Sequence, residues 1–203
     1  EFQTRNGKRL ILEVSATTVE FENKTCCLAA LRDITARREA EEHAQYLMQR
    51  DSMTGVYNRS FFEADLGKMK TEEKRNIGIL VCDVDGLKLI NDTLGHAQGD
   101  LLLNRVAALL EEELSFSDYV ARVGGDEFVV VCFDTSPTSM EELEKTYQKR
   151  LQDYNETYLQ LPVSLSMGWE IAEYSAEAEQ ALKLADSYMY RQKIHQSHSV
   201  RHL

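Results

Sequence analysis

The sequence predicts an α/β fold of the α+β kind, with one central sheet flanked by helices, preceded by a β-hairpin and a linker helix. Three observations predict it. Ile77 to Val84 (IGILVCDV) is an unbroken apolar run of strand length ending in acid, the pattern of a strand covered on both faces. Residues 98–114 place Leu102, Val106, Leu109, Leu110 and Leu114 at helical intervals. Two short strand-like segments, Tyr119 to Val123 and Phe128 to Phe133, flank Gly124-Gly125 as the arms of a hairpin. Such alternation of strand and helix is that of a sheet layered by helices.

The elements follow in order. Residues 8–21 and 25–31 read as two strands around a Glu22-Asn23-Lys24 turn. Two strands alone are marginal in water, so this hairpin is expected to be the tail of a larger sheet domain. From Thr35 the composition changes to strong helix formers without Gly or Pro, which predicts a helix over 36–50 with Thr35 as its N-cap. Its seam, Ile34, Ala40, Ala44 and Leu47, is a weak heptad. Gly55 and Asn58 break that helix, and Phe61, Phe62, Leu66 and Met69 mark another over 60–70. A helix over 139–158, a strand over 163–171 and a helix over 176–194 close the chain. The expected division is 1–34, a sensor fragment; 35–50, a linker helix; and 51–203, the main domain.

Composition narrows the function. The 203 residues are 43% hydrophobic with two prolines and ten glycines, which excludes collagen-like and wholly disordered chains. No stretch approaches the roughly 20 apolar residues of a membrane span, so no membrane contact by this chain is expected. A start at Glu1 rather than Met reads as an excised fragment, expected in the cytoplasm, with an upstream anchor left open. Cys26, Cys27, Cys82 and Cys132 show no metal-binding spacing and are expected to pack in the core. Net charge is −11, and residues 1–50 balance eight Lys/Arg against eight Asp/Glu, leaving the whole excess to residues 51–203. Such a surface repels polyanions and excludes nucleic acid as a partner. A small phosphate ligand remains compatible if a metal ion supplies positive charge.

Two acidic groups carry chemistry. Asp83-Val84-Asp85 places alternate carboxylates on one face of an extended strand, and Asp126-Glu127 follows the diglycine turn. Either group alone reads best as solvated turn acids. Together, beside glycines that leave room for a ligand, they predict an oxygen-ligand site for Mg²⁺ or Mn²⁺.

The segment Arg122 to Phe128 (RVGGDEF) resembles the signature of the GGDEF family, the diguanylate cyclases. The resemblance runs through residues 50–195: 83–100 (DVDGLKLINDTLGHAQGD) is similar to the family's metal and guanine segment, 51–59 (DSMTGVYNR) to its opening element, and Ala185-Asp186, Tyr190 and Lys193 to its closing helix. Residues 7–35, ending Arg32-Asp33-Ile34-Thr35, resemble the last strands of a PAS sensor domain.

This resemblance implies a fold similar to polymerase palm and nucleotidyl cyclase domains, with a mostly antiparallel sheet. It implies a dimer that condenses two GTP into cyclic di-GMP and pyrophosphate, with two divalent ions in each half-site. Asp83, the Val84 carbonyl, Asp126 and Glu127 would hold metal, Asp126 and Glu127 being the catalytic acids. Gly86 and Leu87 N–H groups would cradle phosphate, Lys88 and Lys193 would bind the outer phosphates, and Gly124 and Gly125 would admit substrate. Asn91 and Asp100 would read guanine. Two departures stand out. The family's R-x-x-D inhibitory window reads Ser115-Phe116-Ser117-Asp118 here, without the arginine, and Ser197 stands where a second basic residue follows the lysine. His96 is expected in a turn, and Tyr188, Met189 and Tyr190 in helix packing. The alternative is a catalytically weak GTP-binding module that acts by dimerising or by regulating a partner.

Overall fold

The structure is a computed structural model that describes all residues except 1, 4–5, 8, 23, 70–74, 159–160 and 200–203. Two compact units divide it, residues 1–48 and 49–203.

In the first unit, β1 (Phe2–Gln3) pairs with β2 (Arg9–Leu10), and β3 (Leu12–Phe21) with β4 (Lys24–Asp33), both antiparallel. Phe21 faces Lys24, so the turn spans two residues rather than three, with Glu22 at φ 49°. Asn23 lies outside the described residues. β4 is exposed along its whole length, Cys26 and Cys27 included, so the expectation of core cysteines holds only for Cys82 and Cys132. Helix α1 (Thr35–Gln49) buries no side chain. Thr35 is its first residue, not its N-cap. Asp33, two residues earlier, accepts hydrogen bonds from the Thr35 N–H (2.9 Å) and hydroxyl (2.6 Å) and takes the capping role. The Thr35 hydroxyl oxygen is left to accept from the Ile11 N–H at 2.9 Å, where β2 and β3 part.

The second unit runs β5 (Tyr57–Asn58), α2 (Arg59–Met69), β6 (Ile77–Val84), α3 (Leu87–Leu94), α4 (His96–Glu111), β7 (Tyr119–Arg122), β8 (Glu127–Phe133), α5 (Pro137–Thr157), β9 (Leu165–Ala172) and α6 (Ala178–Ser199). The five strands lie in the order β5-β7-β8-β6-β9. All pairings are antiparallel except β5 with β7, so the sheet is mostly antiparallel. β6, an interior strand between β8 and β9, is buried at every position, which is why its sequence shows no polar alternation.

The period of two sorts the core. Ile77, Ile79 and Val81 face one side, with Val129 and Val131 of β8, and are covered by Phe62, Leu66 and Met69 of α2 and by Ala178, Ala181, Ala185 and Met189 of α6. Leu80, Cys82 and Val84 face the other side, under Leu102, Val106 and Leu110 of α4 and Met140, Tyr147 and Leu151 of α5. Ser136 caps α5 by accepting from the Ser139 N–H, and Pro137 supplies the preset φ of the first helical position. Asp83 has the parity of Ile77 and Val81, so its carboxylate belongs to the α2/α6 side. β5 was not expected. His96 opens α4 instead of lying in a turn, and it is exposed there.

Candidate active site

Strand register builds the site. Asp83 pairs with Glu127 on β8 and with Ser166 on β9. Glu127 shares the parity of Val129, so the two carboxylates project from one face on neighbouring strands. Asp126 sits immediately before β8, its carbonyl accepting from the Val84 N–H at 2.9 Å. Lys193 of α6 places Nζ 2.6 Å from Asp83 Oδ1, the lysine 41% and the aspartate 6% exposed at the side chain. This ion pair is the contact that meets the buried Oδ1.

Three carboxylates then share one lysine. Burial, and next the Asp126 and Asp85 charges, push the Asp83 carboxyl above its ordinary range despite Lys193. Burial with the Asp126 and Asp83 charges does the same to Glu127. On Lys193, burial acts downward, but the surrounding acids outweigh it and raise the ammonium. Such a cluster is short of positive charge. The donors are all oxygens, with no His or Cys, which suits Mg²⁺ or Mn²⁺. Among the described residues, no three His, Cys, Asp or Glu side chains form a ready-made cage. Mg²⁺ does not require one, since it keeps several waters and binds through one or two carboxylates together with substrate phosphates. The residues present fit such an ion.

The other predicted residues fall around this centre. Gly86 adopts φ 73°, a left-handed turn that glycine tolerates, and α3 starts at Leu87, so the first α3 N–H groups form a helix N-terminus next to the end of β6. Lys88 is exposed on α3. Asp85, the second acid of the strand-end pair, turns toward β9 on Asp83's face: it accepts from Ser166 Oγ (2.8 Å) and Ser164 Oγ (2.9 Å), and Ser166 is the residue registered against Asp83. The diglycine has two functions. A Cβ at Gly124 would lie 2.5 Å from Glu127 Oε2, so this glycine seats the glutamate, whereas Gly125 faces open space. Asn91, on α3, keeps its Oδ1 buried without a hydrogen-bond partner among the described residues, and Asp100 is exposed on α4. In the Ser115 window, Asp118 accepts from the Phe133 N–H (2.9 Å) and the Ser115 N–H (3.3 Å), so its carboxylate holds the turn.

One supporting pair was missed from sequence. Arg122, two residues before Gly124, donates to Asp51 Oδ1 (3.1 Å) and to the Gly125 carbonyl (2.6 Å), joining the opening element to the signature turn. Their presence in two separately read motifs was the available signal. Burial acts to raise the Asp51 carboxyl, but the Thr54 hydroxyl and N–H and the Arg122 guanidinium outweigh it, and the net shift is downward. A group depressed in the fold stabilises above its unfolded value and loses that contribution as pH falls through the folded one. Asp51→Asn is therefore expected to lower stability by about 1–2 kcal/mol at pH 7. In urea titrations the gap to wild type should narrow below about pH 4, the unfolded aspartate value. A gap that is constant from pH 7 to pH 3 would contradict this.

The family model "Diguanylate cyclase, GGDEF domain" matches residues 48–199. Diguanylate cyclase DgcN of Escherichia coli (strain K12) is 33% identical over 201 residues, 95% of this chain and 48% of the relative. Cyclic di-GMP phosphodiesterase PdeR of the same organism is 29% identical over 175 residues, 85% of this chain and 26% of the relative. The chain thus spans less than half the length of either. A solved microbial GGDEF domain, described with bis-(3,5)-cyclic di-GMP, superposes with a TM-score of 0.64 at 27% identity, covering 74% of this chain and 94% of that one. With the signature turn placed at the carboxylate cluster, these likenesses agree: the chain belongs to the GGDEF-domain family of diguanylate cyclases.

Proposed function

We propose that residues 51–203 act as a homodimer that condenses two GTP into cyclic di-GMP and pyrophosphate, with two Mg²⁺ or Mn²⁺ ions in each half-site. The observation that carries this reading is the register of Asp83 against Glu127, with Asp126 beside them and Lys193 reaching in from α6. A scaffold has no use for three carboxylates crowded at a strand end, one of them, Asp83, buried.

Asp83, the Val84 carbonyl, Asp126 and Glu127 would hold the ions, which supply neutralisation of phosphate charge and a lowered pKa at the attacking 3′-hydroxyl. The chain's own groups bind and orient. N–H groups of Gly86 and Leu87 meet phosphate oxygens at the start of α3, while Lys88 and Lys193 supply the cations for the outer phosphates. Glu127, raised above the ordinary carboxylate range by burial and its neighbours, is suited to exchange a proton with the hydroxyl. Asn91 and Asp100 select guanine. Each domain holds one GTP, so two half-sites must face each other for the bond to form. Feedback through the Ser115 window is not expected, because the arginine is absent and Asp118 is engaged.

The first unit is proposed as the end of a PAS-like sensor whose output passes through α1. Its hairpin leaves Val14, Leu28 and Leu31 more than half exposed, as strands awaiting the rest of a sheet would be. Among the described residues no helix is long and apolar enough to cross a membrane. A GTP-consuming domain is expected to work in the cytoplasm.

The similarity to PdeR favours a second reading, a GTP-binding module that regulates a phosphodiesterase partner. Incubating the protein with GTP and Mg²⁺ over a range of protein concentrations, with chromatography for cyclic di-GMP, separates the two. Product whose specific rate rises with concentration and vanishes in EDTA is the expected result. GTP binding without product at any concentration would establish the regulatory module, and full activity in EDTA would remove the metal from the account.

A further inference from the structure

Helix α4 carries a buried glycine, Gly99, at its fourth residue. Glycine inside a helix is destabilising by roughly 0.5–1 kcal/mol relative to alanine, so its presence asks for a reason. Backbone conformation does not supply one: the described glycines with positive φ are Gly7, Gly55, Gly86 and Gly95. Crowding by backbone does not supply one either. The three nearest atoms that a Cβ at position 99 would meet all belong to the Asn91 side chain: it would overlap Oδ1, lie 2.9 Å from Cγ and lie 3.3 Å from Nδ2. The space that glycine leaves is the seat of one amide.

We propose that Gly99 is a positioning residue for guanine selection, its missing Cβ holding the Asn91 amide beside Asp100. This rests on the reading of Asn91 and Asp100 as the groups that meet guanine. A second observation supports it: Asn91 Oδ1 is buried with no hydrogen-bond partner among the described residues. An unsatisfied buried acceptor costs about 1–3 kcal/mol, and an N–H donor on a bound base would relieve that. Gly99 exchanges helix stability for a seated amide, a trade expected at a binding site rather than in a helix with only a packing role.

Gly99→Ala isolates the effect. The displaced group is the end of a short side chain, so the fold accommodates the methyl and the melting temperature should be equal or higher. Affinity for a GTP analogue with an uncleavable α,β-bridge, measured by calorimetry, should fall about tenfold, the loss of one hydrogen bond of ordinary strength. Affinity for the matching ATP analogue should not change, so selectivity falls with it. Asn91→Ala should cause a similar loss, and adding Gly99→Ala to it should cause no more, because the glycine acts only through the asparagine. The inference is overturned if Asn91→Ala weakens binding while Gly99→Ala stays within twofold of wild type. It is equally overturned if Gly99→Ala weakens binding by the same factor with Asn91 already removed. An Asn91→Ala protein that binds the GTP analogue as wild type does would show instead that the guanine reading is wrong, and would remove Gly99's role in selection with it.

Discussion

Asp83→Asn is expected to lower cyclic di-GMP synthesis by at least about a thousandfold while leaving the melting temperature unchanged or higher. The two effects have one cause. Asp83 is almost wholly buried at the end of β6, faces Glu127 across the ladder, and has Asp126 nearby. Its negative charge is unfavourable there, because burial and like charges together outweigh the lysine beside it. An amide of the same shape removes that charge, so the apo fold loses the Lys193 ion pair but also loses the repulsion. With metal and triphosphate the balance reverses. An amide offers one neutral oxygen where an anion must meet a divalent cation, and the rate collapses. The check is product formation at saturating GTP and Mg²⁺, with a thermal melt of the same preparation. Activity within tenfold of wild type would displace Asp83 from the site. Lost activity with a melting temperature lowered by ten degrees or more would mean that Asp83 serves mainly the fold.

The features read from sequence and those missed differ in range. β6, α4 and the β7–β8 hairpin were legible because each is long enough to show a period or an unbroken apolar run, and their burial enforces it. β5 has two residues, too few for periodicity to speak. Thr35 satisfied every local rule for an N-cap, but the helix already begins at Thr35, and Asp33, two residues ahead, accepts from the Thr35 N–H. At the site, spacing picked out Asp83, Asp126 and Glu127, and the family resemblance added Lys193, but neither says anything about register. Only pairing shows that Asp83 and Glu127 share a face and that Asp85 is engaged by Ser164 and Ser166 of the β9 side. The diglycine was read as room for a ligand, yet Gly124 makes room for Glu127. These facts depend on contacts between distant segments, which no local window contains.

Gly168→Ala is expected to have the largest effect on stability of any glycine-to-alanine change in the sheet. Gly168 lies on β9, registered against Val81, where α6 crosses. A Cβ there would overlap the Met189 backbone nitrogen and the Ala185 carbonyl oxygen, and would lie 2.9 Å from the Tyr188 carbonyl carbon. All three are main-chain atoms of one helix, so no rotamer change relieves the clash and α6 itself must move. Overpacking of this kind costs about 3 kcal/mol or more, equivalent to a fall in melting temperature of roughly 6–12 °C for a domain of this size. Gly78→Ala is the control. Its Cβ would meet Met140 Sδ at 2.5 Å and Thr135 Cγ2 at 2.7 Å, ends of side chains that can shift, so a loss of about 1 kcal/mol is expected. The displacement at position 168 also has a functional reading. α6 carries Lys193 to Asp83, and a helix pushed off β9 carries the ammonium away with it. Gly168→Ala should therefore raise KM for GTP even below its lowered melting temperature, whereas Gly78→Ala, on the α5 side of the sheet, should leave KM unchanged. Equal melting temperatures for the two variants would show that α6 does not press on β9 as closely as the structure has it. A destabilised Gly168→Ala with an unchanged KM would separate the packing of α6 from the placement of Lys193.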